Sequence, residues 1–160
     1  MRVTVIIPTY NWSTVLPYSI GSVLDQTFTD FELLVVGDAC TDDSEEVVKA
    51  IDDRRVRWIN LHPRAGHQSA PNNEGLRQAG GDLIAYLGHD DLWLPHHLAS
   101  AVAAIDGGAD LTYSIIAAVG PEQSVARPMV SRPDKGGWAA PSCVVHRRRV
   151  TETAGGWGDH

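Results

Sequence analysis

The sequence predicts an α/β fold, a three-layer and doubly wound arrangement in which helices cover both faces of a mostly parallel sheet. Three observations predict it. Short apolar runs alternate with amphipathic stretches over the first two-thirds of the chain. The runs are continuous rather than alternating, which suits strands buried on both faces. Polar loops follow three of the runs, at the strand ends where open α/β sheets take their ligands.

The elements follow in order. Val3 to Pro8 reads as the first strand, and a helix carrying Leu16, Ile20, Val23 and Leu24 on one face comes after it. Phe31 to Val36 is the second strand. The next helix presents Val47, Val48 and Ile51, opened by Asp42 with Glu45 three residues on as a capping box. Val56 to Leu61 is the third strand, and a helix from about Ser69 to Ala79 stops at Gly80-Gly81. Leu83 to Leu87 is the fourth strand. A helix after Pro95 carries Leu98, Val102 and Ile105 and ends at Gly107-Gly108, and Leu111 to Val119 is a fifth strand. Right-handed crossovers between these strands make the sheet open and doubly wound. Beyond Gly120 the alternation fades into Pro121, Pro128, Pro133, Gly136-Gly137 and Pro141, a turn-rich stretch predicted to hold a short hairpin or a loop.

A length of 160 residues suits a single domain spanning 1–160, with no room for a second. No apolar stretch is long enough to span a bilayer, and the N-terminal run lacks a signal peptide's cleavage site, so a cytoplasmic location is expected. Cys40 and Cys143 stand far apart, outside any paired-cysteine motif, and read as free thiols. A formal net charge of −7 argues against a broad nucleic-acid surface. The same acidity means that a phosphorylated ligand needs a cation or local donors.

The three post-strand loops are Pro8-Thr9-Tyr10-Asn11, Gly37-Asp38-Ala39-Cys40-Thr41-Asp42 and Gly88-His89-Asp90-Asp91. The first offers an aromatic face at Tyr10 and backbone donors at a helix start. The second offers Asp38 as an acceptor for a base edge, so that the two together make a nucleoside pocket. The third supplies carboxylates that can hold a hard divalent cation across two phosphates, which resolves the conflict of charge.

Taken in order, these segments resemble the family-two inverting glycosyltransferases, which have the GT-A fold with a Rossmann-like nucleotide-binding half. The resemblance runs from Val5-Ile6-Ile7-Pro8-Thr9-Tyr10-Asn11 through Ser22 to Leu33 and Thr41-Asp42-Asp43-Ser44. Ala65-Gly66, Asn73, Gly75-Leu76 and Gly81 to Leu87 continue it into Asp90-Asp91-Leu92-Trp93-Leu94-Pro95. Each piece alone is weak; their joint order and spacing are specific. The resemblance implies a nucleotide-sugar-binding half over 1–119 and the start of an acceptor-side segment over 120–160. It implies transfer of a sugar from a nucleoside diphosphate donor, a UDP-sugar foremost, to an unidentified hydroxyl acceptor, with inversion and with Mg²⁺ or Mn²⁺. Surface polysaccharide or glycoconjugate assembly is the usual setting.

Carried over residue by residue, the resemblance implies that Thr9 and Tyr10 hold the base and ribose, that Asp38 accepts from the base, and that Asp90 binds the metal, with Asp91 beside it. Pro8 and Asn11 belong to the same loop. The sequence also departs from the family. Gly37 stands where a first acidic residue is usual, so base recognition leans on Asp38 alone. Gly88 replaces the first carboxylate of the Asp-x-Asp metal motif, and His89 is offered as a nitrogen ligand or phosphate donor. Asn72 stands where an arginine often helps to hold phosphate, leaving His67, Arg64 or Asn73 to share that work. Pro141 to Arg147 and Gly155-Gly156-Trp157 resemble the acceptor-side segment, after which an acidic pair normally supplies the base. The sequence ends at Asp159-His160, so the expectation is a truncated chain, with Asp159 the alternative base. A non-catalytic nucleotide-sugar-binding module is the competing reading, and another Rossmann-like nucleotide protein a third; no Gly-x-Gly-x-x-Gly follows the first strand.

Plainer roles stand beside these. Tyr10 can be a rim aromatic, Asp42 a helix cap, and one of Asp90-Asp91, Asp91 the better candidate, a cap for the next helix. His89, His96 and His97 invite a zinc site that no cysteine pair supports. Arg147-Arg148-Arg149 reads as a solvated patch. Trp138 and Trp157 either line an acceptor site or plug the sheet's open end.

Overall fold

A computed structural model describes residues 2–117, 128–129 and 139–158. In chain order the elements are β1 (Val3–Thr9), α1 (Leu16–Leu24), β2 (Phe31–Gly37), α2 (Ser44–Lys49), β3 (Val56–Asn60), α3 (Ser69–Gln78), β4 (Leu83–Tyr86), α4 (His97–Asp106), β5 (Leu111–Tyr113), β6 (Ile116–Ala117), β7 (Pro128–Met129), β8 (Val144–Arg147) and α5 (Arg148–Ala154). A six-stranded sheet has the order β3-β2-β1-β4-β8-β5, and β6 pairs with β7 apart from it. The first four strands are parallel, in a register that sets Val3 opposite both Phe31 and Leu83. β8 runs antiparallel to β4 and to β5. The sheet is therefore mixed but mostly parallel, as the continuous apolar runs predict.

Each central strand feeds two cores because successive side chains point to opposite faces. Val3, Val5 and Ile7 of β1 pack with Leu16, Ile20, Val23, Leu98, Val102 and Ile105 under α1 and α4. Ile6 instead packs with Leu34, Val36, Ile84 and Tyr86, against which Leu76 of α3 is set. Helices on both faces thus account for apolar runs with no polar alternation.

Two helix starts are built from side chains. Asp42 accepts from the Ser44 backbone N–H (3.2 Å) and hydroxyl (2.6 Å), and its other oxygen accepts from Ser13 N–H at 3.1 Å. Burial would raise the Asp42 pKa, but the hydrogen bonds from Ser44 and Ser13 outweigh it and hold the carboxyl below its usual range. The expected capping box does not close: Glu45 pairs with Lys49 one turn further on. At α4 the buried Gln26 accepts from Leu98 N–H (2.9 Å) and donates to the Leu94 carbonyl (2.8 Å).

The third quarter of the chain departs from expectation. The predicted strand over Leu111 to Val119 divides into β5 and β6, and its last residues lie outside those described. β8, from the turn-rich stretch beyond Gly120, enters between β4 and β5. Burial explains the choice: Val145 is fully buried, whereas Leu111 and Tyr113 stay exposed, so β8 takes the central place and β5 the edge. Two of the three arginines, Arg147 and Arg148, are tied to backbone carbonyls, while Arg149 stays exposed on the surface as the sequence suggests. Arg148 donates to the carbonyls of Ala79 and Gly81, Arg147 to that of Ile105 at 2.7 Å, and Arg149 pairs with Asp110. Gly81 is required there, since a β-carbon would stand 2.6 Å from Thr4 N.

Candidate functional site

The loops after β1, β2 and β4 converge at the carboxyl ends of the parallel strands and, with the β3–α3 loop, enclose a cleft of about 230 Å³. The β1 loop contributes Pro8, Thr9 and Tyr10 to its wall. Asn11 turns away with φ +50° and stitches loops together: its side-chain oxygen accepts from Thr41 N–H at 2.8 Å and its amide donates to the Thr41 hydroxyl at 3.2 Å.

Asp38 contributes the acid of the β2 loop. Its N–H continues the β1 pairing by donating to Thr9 O at 2.9 Å, and its carboxylate oxygens accept from Ala65 and Gly66 N–H at 2.7 Å each. It is 4% exposed, so these charge-assisted bonds are what make burial of the carboxylate tolerable. The following residue, Ala39, has φ +59°, a conformation costly without glycine. Asn60 at the end of β3 holds it, accepting from Cys40 N–H at 2.9 Å and donating to Cys40 O at 3.1 Å.

The β3–α3 loop lines the cleft with Arg64, Gly66, His67 and Gln68, and the first turn of α3 adds Pro71. The Arg64 guanidinium lies 3.7 Å from the Tyr10 ring centroid, and its Nε is 3.9 Å from Asp38. His67 Nδ1 and both polar atoms of the fully buried Asn72 have no hydrogen-bond partner. Asn73 does not line the cleft; it exchanges two hydrogen bonds with the backbone of Trp157, both 2.9 Å. Trp157 itself sits edge-on to Tyr86 at 5.0 Å, packed against the sheet's second core.

Gly88, His89 and Asp90 close the floor. His89 Nδ1 meets the Thr9 hydroxyl at 3.1 Å and its ring stacks on Trp12 at 4.6 Å. Burial lowers the His89 pKa, opposed by the charges of Asp90 and Asp91. Ser142, just before β8, pins this loop: its hydroxyl accepts from Gly88 N–H at 2.8 Å and donates to Asp91, while its carbonyl accepts from Trp93 Nε1 at 2.7 Å. Asp91 is thereby engaged outside the lining, and Asp90 faces the cleft exposed. Ser142 lies in the Pro141 to Arg147 segment that resembles the acceptor side, and only the tertiary hydrogen bonds show that it fastens the Gly88 loop.

Among the described residues no group of three His, Cys, Asp or Glu side chains is arranged to hold a metal. The donor set nevertheless fits a cation shared with a ligand. Asp90 brings one exposed carboxylate to the cleft, while Asp91, bonded by Ser142, stands behind it. Mg²⁺ characteristically uses one or two carboxylates and completes its shell with phosphate and water. His96 and His97 lie elsewhere: His96 Nδ1 is 3.2 Å from the Thr27 hydroxyl, and His97 stacks on Trp93 at 4.3 Å. Asp159, the base candidate, and Trp138 lie outside the described residues.

The described residues contain no helix long and apolar enough to cross a membrane. The chain is 31% identical, over 95% of its length and 52% of the relative's, to an uncharacterized glycosyltransferase of Nostoc sp.. Among solved structures it resembles residues 1–349 of Staphylococcus aureus TarS in complex with UDP, with a TM-score of 0.81, 24% identity, and coverage of 97% of this chain and 49% of that one. It also resembles the mannosyltransferase PcManGT of Pyrobaculum calidifontis in complex with GDP-Man and Mn²⁺, with a TM-score of 0.74, 24% identity, and coverage of 98% and 47%. The fold is thus that of the GT-A glycosyltransferases, and the chain spans about half the length of each of these three proteins. Its residues 4–149 match the model of glycosyl transferase family 2, and the chain belongs to that family.

Proposed function

We propose that the cleft binds a nucleoside diphosphate sugar, with UDP the leading nucleotide, and that the protein transfers the sugar to a hydroxyl acceptor with inversion. The observation that carries this reading is the meeting of Tyr10, Asp38 and Asp90 in one cleft at the strand ends. Tyr10 would stack on the base, with Thr9 beside the ribose. Asp38 keeps lone pairs free on oxygens already fixed by Ala65 and Gly66, so it can accept a base N–H without moving. Asp90, with Asp91 behind it, would hold Mg²⁺ or Mn²⁺ against the diphosphate, and such a cation would stabilise the charge gathering on the leaving group. His89 and His67 would orient the phosphates.

In the transfer the acceptor oxygen bonds to the anomeric carbon as the bond to the phosphate oxygen breaks, and a carboxylate takes the hydroxyl proton. Asp159 or an acidic residue beyond this sequence would be that base. Residues 1–119 would form the nucleotide-sugar half and 120–160 open the acceptor side, in a cytoplasmic enzyme of polysaccharide or glycoconjugate assembly. A nucleotide-sugar-binding module without transfer is the second reading, favoured by Gly37 and Gly88 where the family has acids.

Calorimetric titration with UDP and GDP, with and without Mn²⁺, tests the binding that both readings share. Metal-dependent UDP binding lost in Asp90→Ala is expected. A folded chain that binds neither nucleotide overturns both readings. Transfer of sugar from the donor to a hydroxyl acceptor then separates enzyme from module.

A further inference from the structure

We propose that Arg64 is a donor-binding residue whose guanidinium pairs with the diphosphate and supplies fixed positive charge to the cleft. This rests on the nucleotide-sugar reading of the cleft and goes beyond it, because it adds a loop arginine to the phosphate contacts assigned there to His67, His89 and the cation.

Among the described lining side chains, Asp38 and Asp90 are acidic and Arg64 is the permanently cationic one. His89 is already engaged, its Nδ1 by the Thr9 hydroxyl at 3.1 Å and its ring by Trp12. A nucleoside diphosphate brings two or more negative charges into this wall, so a fixed cation there has a large effect on affinity.

Geometry then selects Arg64 from the polar residues around it. Asn73 has both ends of its amide engaged by Trp157. Asn72 is fully buried with its polar atoms unpartnered, so it can hydrogen-bond a ligand but cannot neutralise one. Arg64 is pre-positioned without being used up. Tyr10 supports one face of the guanidinium at 3.7 Å, and the approach to Asp38, at 3.9 Å, is too long for a hydrogen bond, leaving the guanidinium donors available.

A purely architectural role is a poor account of the residue. Asp38 already receives two 2.7 Å hydrogen bonds from Ala65 and Gly66, so the loop is fastened without Arg64. The arginine side chain remains 53% exposed, where an ion pair contributes little to stability. What the placement does provide is a planar, multi-donor cation at the mouth of a cleft that holds the base-side aromatic and the metal-side carboxylate.

The test compares UDP with uridine, which has the base and ribose but no phosphate. Binding is followed in Mg²⁺ buffer, the diamagnetic choice of the two cations, by amide chemical shifts of Gly66 and His89, which report weak as well as tight ligands. Arg64→Ala is expected to weaken UDP by roughly 10-fold or more, the scale of a lost charge-assisted hydrogen bond, while changing uridine by less than about 3-fold. Arg64→Lys is expected to recover part of the loss, since charge returns without the planar fork. Equal losses for UDP and uridine would assign Arg64 to stacking and overturn the proposal. An unchanged UDP affinity, or tighter binding of either ligand, overturns it as well, the latter by showing that Arg64 plugs the Tyr10 face. If the unaltered protein binds neither ligand, the nucleotide reading fails first and takes this one with it. Thermal unfolding of each variant confirms that the comparison is between folded proteins.

Discussion

The side-chain oxygen of Asn60 stands 2.6 Å from the point that a β-carbon on Gly37 would occupy. Trp58 and Cys40 crowd the same point at 2.8 and 3.0 Å. Gly37 and Asn60 therefore form a matched pair: the small residue admits the amide, and the amide holds the Cys40 backbone behind the left-handed turn at Ala39. Restoring an acid with Gly37→Asp should destabilise the fold by about 1–3 kcal/mol through overpacking. Combining it with Asn60→Gly should relieve part of that cost. In urea unfolding, the cycle of single and double variants should show a favourable coupling above about 0.5 kcal/mol, and strict additivity would refute the pairing.

Asp90 and Asp91 are adjacent in sequence but placed for different work. Asp90 faces the cleft, whereas Asp91 is engaged by the hydroxyl of Ser142, which also takes the Gly88 N–H. Asp90→Asn should remove the Mn²⁺-dependent part of UDP affinity and leave thermal stability nearly unchanged. Ser142→Ala should do the reverse in the metal-free protein, lowering Tm by roughly 2–8 °C because a loop N–H loses its partner. Calorimetry with and without Mn²⁺ and a melting curve separate the two effects. Equal loss of metal response in both variants would show that the division is wrong.

The contrast between these loops and the rest of the chain shows what a sequence carries. The parallel half was legible because continuous runs such as Val5-Ile6-Ile7 and Leu33 to Val36 admit only burial on both faces. Tyr10, Asp38 and Asp90 were legible because each follows such a run, and strand ends converge. β8 was not, because Val144-Val145-His146-Arg147 is short and its place between β4 and β5 is decided by competition with Leu111 to Tyr113 for the sheet. Asn11 and Asn73 share loops or helices with lining residues, and only the tertiary hydrogen bonds reveal where their amides turn. Arg64 appeared in the sequence as one of three possible phosphate contacts; its stacking on Tyr10 is a long-range fact with no local signature.

His97 gives the fold a defined acid sensitivity. Burial pushes its pKa from 6.5 down to about 4, and Nε2 is buried without a hydrogen-bond partner. Above pH 6.5 the ring is neutral in both folded and unfolded chains, and its full contribution is present. As the pH falls from 6.5 towards 4 the unfolded chain binds a proton that the folded one refuses, so stability declines; below about 4 the loss is complete. The total is on the order of 3 kcal/mol. His97→Phe keeps a ring on Trp93 and removes the titration. Its unfolding free energy, measured from pH 7 to 4, should fall less steeply than that of the unaltered protein, and parallel curves would show that His97 is not the sensor.

The C-terminal turn is fastened to α3 by side chains rather than by a strand. Asn73 bonds both the N–H and the carbonyl of Trp157, and the Ser69 hydroxyl donates to Gly158 O at 2.7 Å. A β-carbon at position 156 would stand 2.8 Å from the Asn73 oxygen, and Gly156 has φ +81°, so the glycine and the asparagine are mutually required. Ser69 follows Gln68 of the cleft wall, which means that this fastening sets where the chain leaves Gly158 relative to the cleft. Asn73→Ala should therefore cost about 1–3 kcal/mol and speed hydrogen exchange at the Trp157 amide by an order of magnitude or more, with Tyr86 and the β1 amides still protected. Asn73→Asp, which keeps the acceptor for Trp157 N–H and loses the donor to its carbonyl, should fall between. Unchanged exchange at Trp157 in Asn73→Ala would mean that its packing on Tyr86 alone holds the turn.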